Sequence, residues 1–187
     1  MKERFFVFDV SLCFGCQGCV AACVNANRLK GDQHWRKVFK LPCHDGSNDT
    51  IYLSMSCNHC EEPACVKACP ADALRVRDED RIVVLEGDKC LGCRYCQMAC
   101  PYDAIVWMED TKTVGKCNLC CERLDREEEP ACVATCFSGA LHLVTVESEA
   151  ERDDWEKEMI GFEHHPDVKP RLRFVNKFMS TLPKENK

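Results

Sequence analysis

The chain has no apolar run long enough to cross a bilayer, which takes about 18–20 residues. Its longest apolar runs, residues 5–8 and 82–85, are of strand length. A secretory leader is not expected, because Met1-Lys2-Glu3-Arg4 leads directly into Phe5-Phe6-Val7-Phe8, too short an apolar segment and without a small-residue cleavage site. No basic stripe is present and the net charge is −6, so nothing in the composition points to nucleic acid. No G-x-G-x-x-G follows a predicted strand, which removes the nicotinamide and flavin signature. There is also no phosphate loop, nucleophile–base pair or substrate-pocket signal. These absences exclude a chain that transforms a substrate by itself.

What the sequence does have is cysteine: 18 in 187 residues. Disulfides and metals are the two scaffolds that use so many. A disulfide framework belongs to short secreted chains, and these cysteines are clustered at ligand spacing instead of spread along the chain. Sixteen of them form four groups of four. Group III reads C-L-G-C-R-Y-C-Q-M-A-C-P, with Cys90, Cys93, Cys96 and Cys100 before Pro101. This is the C-x2-C-x2-C-x3-C-P run of bacterial two-cluster ferredoxins, whose fourth cysteine ligates the other cluster. Group I is Cys13, Cys16, Cys19 and Cys23; group II, with one expanded spacing, is Cys57, Cys60, Cys65 and Cys69; group IV is Cys117, Cys120, Cys132 and Cys136. Zinc ribbons pair two Cys-x2-Cys knuckles, and triplet-plus-one groups with C-P closings are a different pattern.

Between the groups the chain reads as strands and short helices. Strands are expected at 4–12, 35–41, 51–56 and 140–146, hairpins at 71–89 and 104–116, a helix at 19–28 and a charged helix and turn after Cys121. Gly15 and Gly18 are expected to supply unusual backbone angles around a cluster. C-P-A-D-A-L, C-P-Y-D-A-I and C-F-S-G-A-L, starting at Cys69, Cys100 and Cys136, form an internal repeat of closing cysteine, turn and outgoing strand. Ser148 and Glu151 have capping-box spacing, so 149–160 is expected to be a helix, followed by an extended tail lying on the module or on a partner.

The groups can pair as I–II with III–IV, or as I–IV with II–III nested inside. The short connection between Cys69 and Cys90 and the long one between groups I and II favour nesting. The expected ligand sets are Cys13, Cys16, Cys19 and Cys136; Cys23, Cys117, Cys120 and Cys132; Cys57, Cys60, Cys65 and Cys100; and Cys69, Cys90, Cys93 and Cys96. They would hold four 4Fe–4S clusters. Cys121 is the alternative to Cys120, which the spacing from Cys117 favours, and Cys43 is expected to be a free thiol. His59 is read equally as a hydrogen-bond donor to a cluster sulfur or as packing. Trp35 and Trp107 are read as packing, and His164-His165 as solvated.

Residues 4–146 resemble the iron–sulfur electron-transfer subunit of the dimethyl sulfoxide reductase family of molybdenum and tungsten oxidoreductases. The resemblance rests on the order and spacing of all four groups, including C-N-H-C-E-E-P-A-C-V-K-A-C-P and C-N-L-C-C followed by P-A-C-V-A-T-C. Cys23 and Cys136 depart from it, being followed by Val24 and Phe137 and not by Pro. The resemblance implies the same nested pairing and a nearly linear row of clusters. In that row the group I cluster is nearest a molybdopterin catalytic subunit, followed by those of groups IV, II and III, the last facing a membrane-anchor subunit, quinone-reactive, or another redox partner. The expected fold class is α+β: ferredoxin-like unit A at 1–28 plus 116–146, an inserted hairpin at 29–56, unit B at 57–115 and a C-terminal helix and tail at 147–187. The alternatives are a free-standing polyferredoxin carrier and an electron-transfer subunit of a formate dehydrogenase or hydrogenase complex. Compartment is open between the cytoplasm and export in the folded state with a partner.

Overall fold

The computed structural model describes residues 3–42, 50–146 and 155–175. Its first strand, β1 (Glu3–Asp9), sits in the centre of a three-stranded sheet. The run R-F-F-V-F-D does not alternate, and the structure gives the reason: both faces of β1 are buried. Phe6 and Phe8 enter the main core, whereas Phe5 and Val7 pack with Val146 and Trp155 on the other face. The strand stops at Asp9, earlier than the sequence suggests, because the Asp9 carboxylate accepts from the Ser11 N–H at 2.9 Å and turns the chain into a 3-10 turn.

After group I enters α1 (Gly18–Ala26), β2 (Lys37–Pro42) and β3 (Thr50–Met55) pair as an antiparallel hairpin. The turn expected at 45–49, and Cys43, lie outside the described residues. Next come α2 (Ala64–Lys67), then β4 (Leu74–Val76) paired with β5 (Val83–Leu85). They are followed by α3 (Tyr95–Ala99) and β6 (Ile105–Met108) paired with β7 (Thr113–Lys116). Two single-turn helices, α4 (Cys121–Leu124) and α5 (Ala131–Ala134), lead to β8 (Leu141–Val146). β8 returns antiparallel to β1, with Phe6 opposite Leu143 and Phe8 opposite Leu141. Thus the strand before group I is hydrogen-bonded to the strand after group IV. The helices follow the same scheme: α1 packs on α5, and α2 on α3.

The C-terminal segment corrects one expectation. The capping box at Ser148 and the residues through 154 lie outside the described residues, but 155–160 is not helical. Glu156 instead bridges Phe174, and Met159 bridges Phe162. The local helix-start signal loses here to burial, since Met159 and Phe162 are core residues. The tail then forms β9 (Leu172–Val175), parallel to β1 with Phe6 opposite Leu172 and Phe8 opposite Phe174.

On its way to β9 the tail crosses the group II loop. Lys169 and Val168 carbonyls accept from Glu61 and Glu62 N–H groups, and Arg171 N–H donates to the Asn58 carbonyl. The buried Arg171 guanidinium donates to the His59 carbonyl at 2.9 Å and to the Arg81 carbonyl at 3.2 Å, and pairs with Glu3 at 3.3 Å. Arg171→Met leaves buried carbonyls without a donor, which costs about 2–3 kcal/mol. We expect a lowered thermal midpoint and faster tryptic release of the tail; an unchanged midpoint would contradict this role.

Candidate iron–sulfur sites

The cysteine loops repeat one backbone geometry. In the first C-x-x-C step of each group the second intervening residue has a positive φ: Gly15 (75°), His59 (45°), Gly92 (69°) and Leu119 (56°). This left-handed step folds the chain tightly enough to bring successive sulfurs to one side. Glycine takes it freely, whereas it costs a leucine or histidine about 1–3 kcal/mol. Two unrelated side chains holding the same strained angle at the same motif position indicate that the loop shape is imposed by what it must enclose. At Gly92 a Cβ would stand 2.7 Å from the Lys112 carbonyl oxygen. Gly18 does not have the unusual angle expected of it; it opens α1, and Gln17 takes the left-handed position (φ 60°) as its N-cap. The repeat after the closing cysteines is structural as well. Asp72, Asp103 and Gly139 all have positive φ, and a strand begins two residues later at Leu74, Ile105 and Leu141.

The thiols that the structure brings near one another fall into four sets. Beside Cys13 are Cys19, Cys136 and Cys16. Beside Cys23 are Cys117, Cys132 and Cys120. Beside Cys60 are Cys57, Cys100 and Cys65. Beside Cys96 are Cys69, Cys90 and Cys93, and all four of these line one cleft with Leu74, Leu85 and Val114. Contacts between sets run in one sequence. Cys132 feels Cys19, Cys57 feels Cys117, and Cys65 feels Cys96. Packing repeats that order, since Cys57 and Cys117 share one buried cluster and Cys65 and Cys96 another. Cys121 is turned elsewhere, packing against the main core and bonding to the Arg77 guanidinium.

Burial dominates the electrostatics. It pushes Cys23 and Cys65 up to about 12, and Cys96 and Cys132 up to about 11. A buried sulfur in this state keeps its proton unless a metal replaces it. Opposing groups are built in. Cys69 is drawn below the ordinary thiol range, the backbone N–H groups of Leu74, Ala71 and Ala73 outweighing its burial. The Leu119 N–H donates to Cys117 Sγ at 3.3 Å. Lys116 is buried with its ammonium on the Val83 and Cys117 carbonyls, the latter at 2.6 Å, and partly offsets the upward push of burial on Cys57 and Cys65.

Whether these residues fit an iron–sulfur cluster can be tested on the polar atoms left over. His59 Nδ1 accepts from the Val83 N–H at 3.1 Å, so its proton lies on Nε2, and burial keeps the ring neutral. His59 Nε2 and Trp35 Nε1 are buried and have no partner among the described protein groups. Trp35 packs against Cys57 and Cys117, and the His59 backbone N–H bonds to Cys57, so cluster sulfurs are the acceptors that these neighbourhoods would offer. No three described side chains converge on a single metal ion. A cubane does not ask for that, because each of its four thiolates caps a different iron. The seventeen described cysteines are all free thiols. The donor set, the strained loops and the unfilled donors all fit 4Fe–4S clusters. Sequence reasoning missed Arg36 and Lys116, since a lone basic residue outside the cysteine motifs carries no signal of its burial.

Residues 48–146 match the 4Fe–4S dicluster domain family. Over 145 residues the chain is 40% identical to the B polypeptide of anaerobic dimethyl sulfoxide reductase from Escherichia coli, covering 73% of this chain and 70% of that one. It is 42% identical over 146 residues to the B polypeptide of polysulfide reductase from Wolinella succinogenes, covering 75% of each. To the B polypeptide of tetrathionate reductase from Salmonella typhimurium it is 39% identical over 143 residues, covering 74% of this chain and 57% of that one. With thiol-rich loops built for iron–sulfur ligation and relatives that are polypeptides of multi-component reductases, the protein belongs to the family of non-catalytic iron–sulfur electron-transfer subunits of molybdopterin oxidoreductases.

Proposed function

We propose that the chain holds four 4Fe–4S clusters in a row and relays electrons between a molybdopterin catalytic subunit and a membrane-anchor or other redox partner. The ligand sets are the four expected from the cysteine spacing, Cys13/16/19/136, Cys23/117/120/132, Cys57/60/65/100 and Cys69/90/93/96, in that order along the row. Their nesting makes two ferredoxin-like units, groups I and IV enclosing groups II and III. Each cluster supplies a reversible one-electron couple. The protein's part is to bury the sulfurs, exclude water and set N–H groups and cations around them.

The observation that carries this reading is the pattern of exposure. Among the ligand candidates only Cys16 and Cys93 are exposed, one in the first set and one in the last, while the two middle sets are buried or half-buried. A relay needs access at its ends and insulation between them. Exposed large apolar side chains agree. Among the described residues, apart from Phe39, they are Leu12, Phe14 and Phe137, next in sequence to first-set cysteines, and Leu91, Tyr95 and Met98, within two residues of last-set cysteines. Phe14 and Phe137 meet edge-on at 5.3 Å. Apolar side chains gathered at two such places suit contact with other subunits.

Anaerobically prepared complex should contain about sixteen iron atoms and sixteen sulfides per chain, four of each for every cluster. A count near eight would reject four clusters. Cys93→Ser should stop turnover driven through the distal partner. If the last cluster were lost and that turnover unaffected, the assigned direction of the row would be wrong.

A further inference from the structure

Arg36 is among the most completely buried large side chains of the protein, 2% exposed, and it has no carboxylate partner among the described residues. Its guanidinium is held by neutral groups. It donates to Ser54 Oγ at 3.0 Å and to Ser56 Oγ at 2.9 Å, and rests over the Phe6 ring at 4.7 Å. Hydrogen bonds to hydroxyls do not repay the burial of a full charge, so a counter-charge must be near. Burial works against its protonation, yet Cys132, Cys117, Cys19 and Cys23 together outweigh it and strengthen the charge. Three of those sulfurs belong to the second set and Cys19 to the first. Ser54, accepting from Arg36, has its own hydroxyl hydrogen free for Cys19 Sγ at 3.3 Å. The result is a donor chain from Arg36 through Ser54 to a first-set sulfur, with the cation itself facing the second set.

We propose that Arg36 is a positioning residue for electron transfer, a permanent buried charge at the junction of the first two cluster sites that raises the reduction potential of both. One electron arriving at either site makes it one unit more negative, and no proton need follow because guanidinium stays charged throughout the physiological range. The added charge is therefore met by a cation already in place, which favours the reduced form. The second-set site, facing the guanidinium directly, feels it most, and the first-set site feels it through Ser54 as well. This rests on the four-cluster reading above.

The test is an EPR-monitored redox titration of the assembled complex carrying Arg36→Gln, Arg36→Lys or Ser54→Ala. The signals of the first two clusters are assigned by their loss in Cys136→Ser and Cys23→Ser proteins, respectively. In Arg36→Gln the first two clusters should become harder to reduce by about tenfold in the reduced-to-oxidised ratio at fixed potential, equal to 59 mV for one electron. The other two should not move. Arg36→Lys, which keeps the charge, should restore most of the shift, and Ser54→Ala should lower only the first cluster's potential. If the glutamine protein does not assemble, the serine and lysine proteins decide. An unmoved first-cluster potential in Ser54→Ala, or a lysine protein shifted as far as uncharged substitution would require, overturns the proposal. An iron count below about sixteen in the unaltered complex would fail the four-cluster reading instead. Full iron with four unmoved potentials would fail Arg36 alone.

Discussion

A Cys136→Ser protein is expected to lose the cluster of the N-terminal group I, and a Cys23→Ser protein that of group IV. Each substitution should remove about four irons and one EPR signal. The reason is the proposed exchange of fourth ligands. Cys136 stands beside Cys13, while Cys23 stands beside Cys117, Cys120 and Cys132. The strand pairing agrees with that proposal, because β1 delivers the chain to group I and β8 carries it away from Cys136, side by side in one sheet. Tandem pairing of I with II would instead place Cys23 among group II thiols. Additivity gives a sharp check. Cys136→Ser combined with Cys16→Ser should cost no more iron than either alone, because both belong to one set. Loss of two clusters in that double variant would sink the nested assignment.

Removal of iron by chelation under oxidising conditions is expected to abolish the cooperative unfolding transition. Far-UV circular dichroism and amide exchange should report a largely disordered chain. The elements are too small to persist otherwise. Four of the five helices described have four or five residues, far below the length at which an isolated helix is stable. Three of the four sheets described are two-stranded hairpins, which are marginal in water. Their loops also hold His59 and Leu119 in strained conformations that only a filled site offsets. The sheet around β1 has the largest apolar core, so exchange protection remaining after chelation should be confined to β1, β8 and β9. A thermal transition unchanged in midpoint and amplitude would show that the loops fold without metal.

Much of the site was legible in the sequence because its chemistry is local. Spacing inside each group is fixed by the reach of a short loop, so C-x-x-C and the C-P closings identify the candidate ligands before any tertiary contact is known. The repeated outgoing strands, starting at Leu74, Ile105 and Leu141, were readable for the same reason. The segment at 155–160 was misread because its polar pattern suits a surface helix, whereas Met159 and Phe162 are needed in the core beside Phe174. A capping-box spacing describes a segment alone and cannot see a sheet that a later strand completes.

The sequence by itself determined the family, the sixteen candidate ligands and the kind of cofactor, because a cluster's demands are met within a few residues of chain. The tertiary structure decided what depends on distant segments meeting. β9 lies along β1 and draws the tail across the group II loop. Among the candidate ligands, only Cys16 and Cys93 are exposed, the others being buried or half-buried. Arg36 and Lys116 are carried into a cysteine-rich interior where a charge would otherwise be unfavourable. Burial is a property of the assembled core, and so the groups proposed to tune the sites, unlike the candidate ligands, come into view only once the chain is folded.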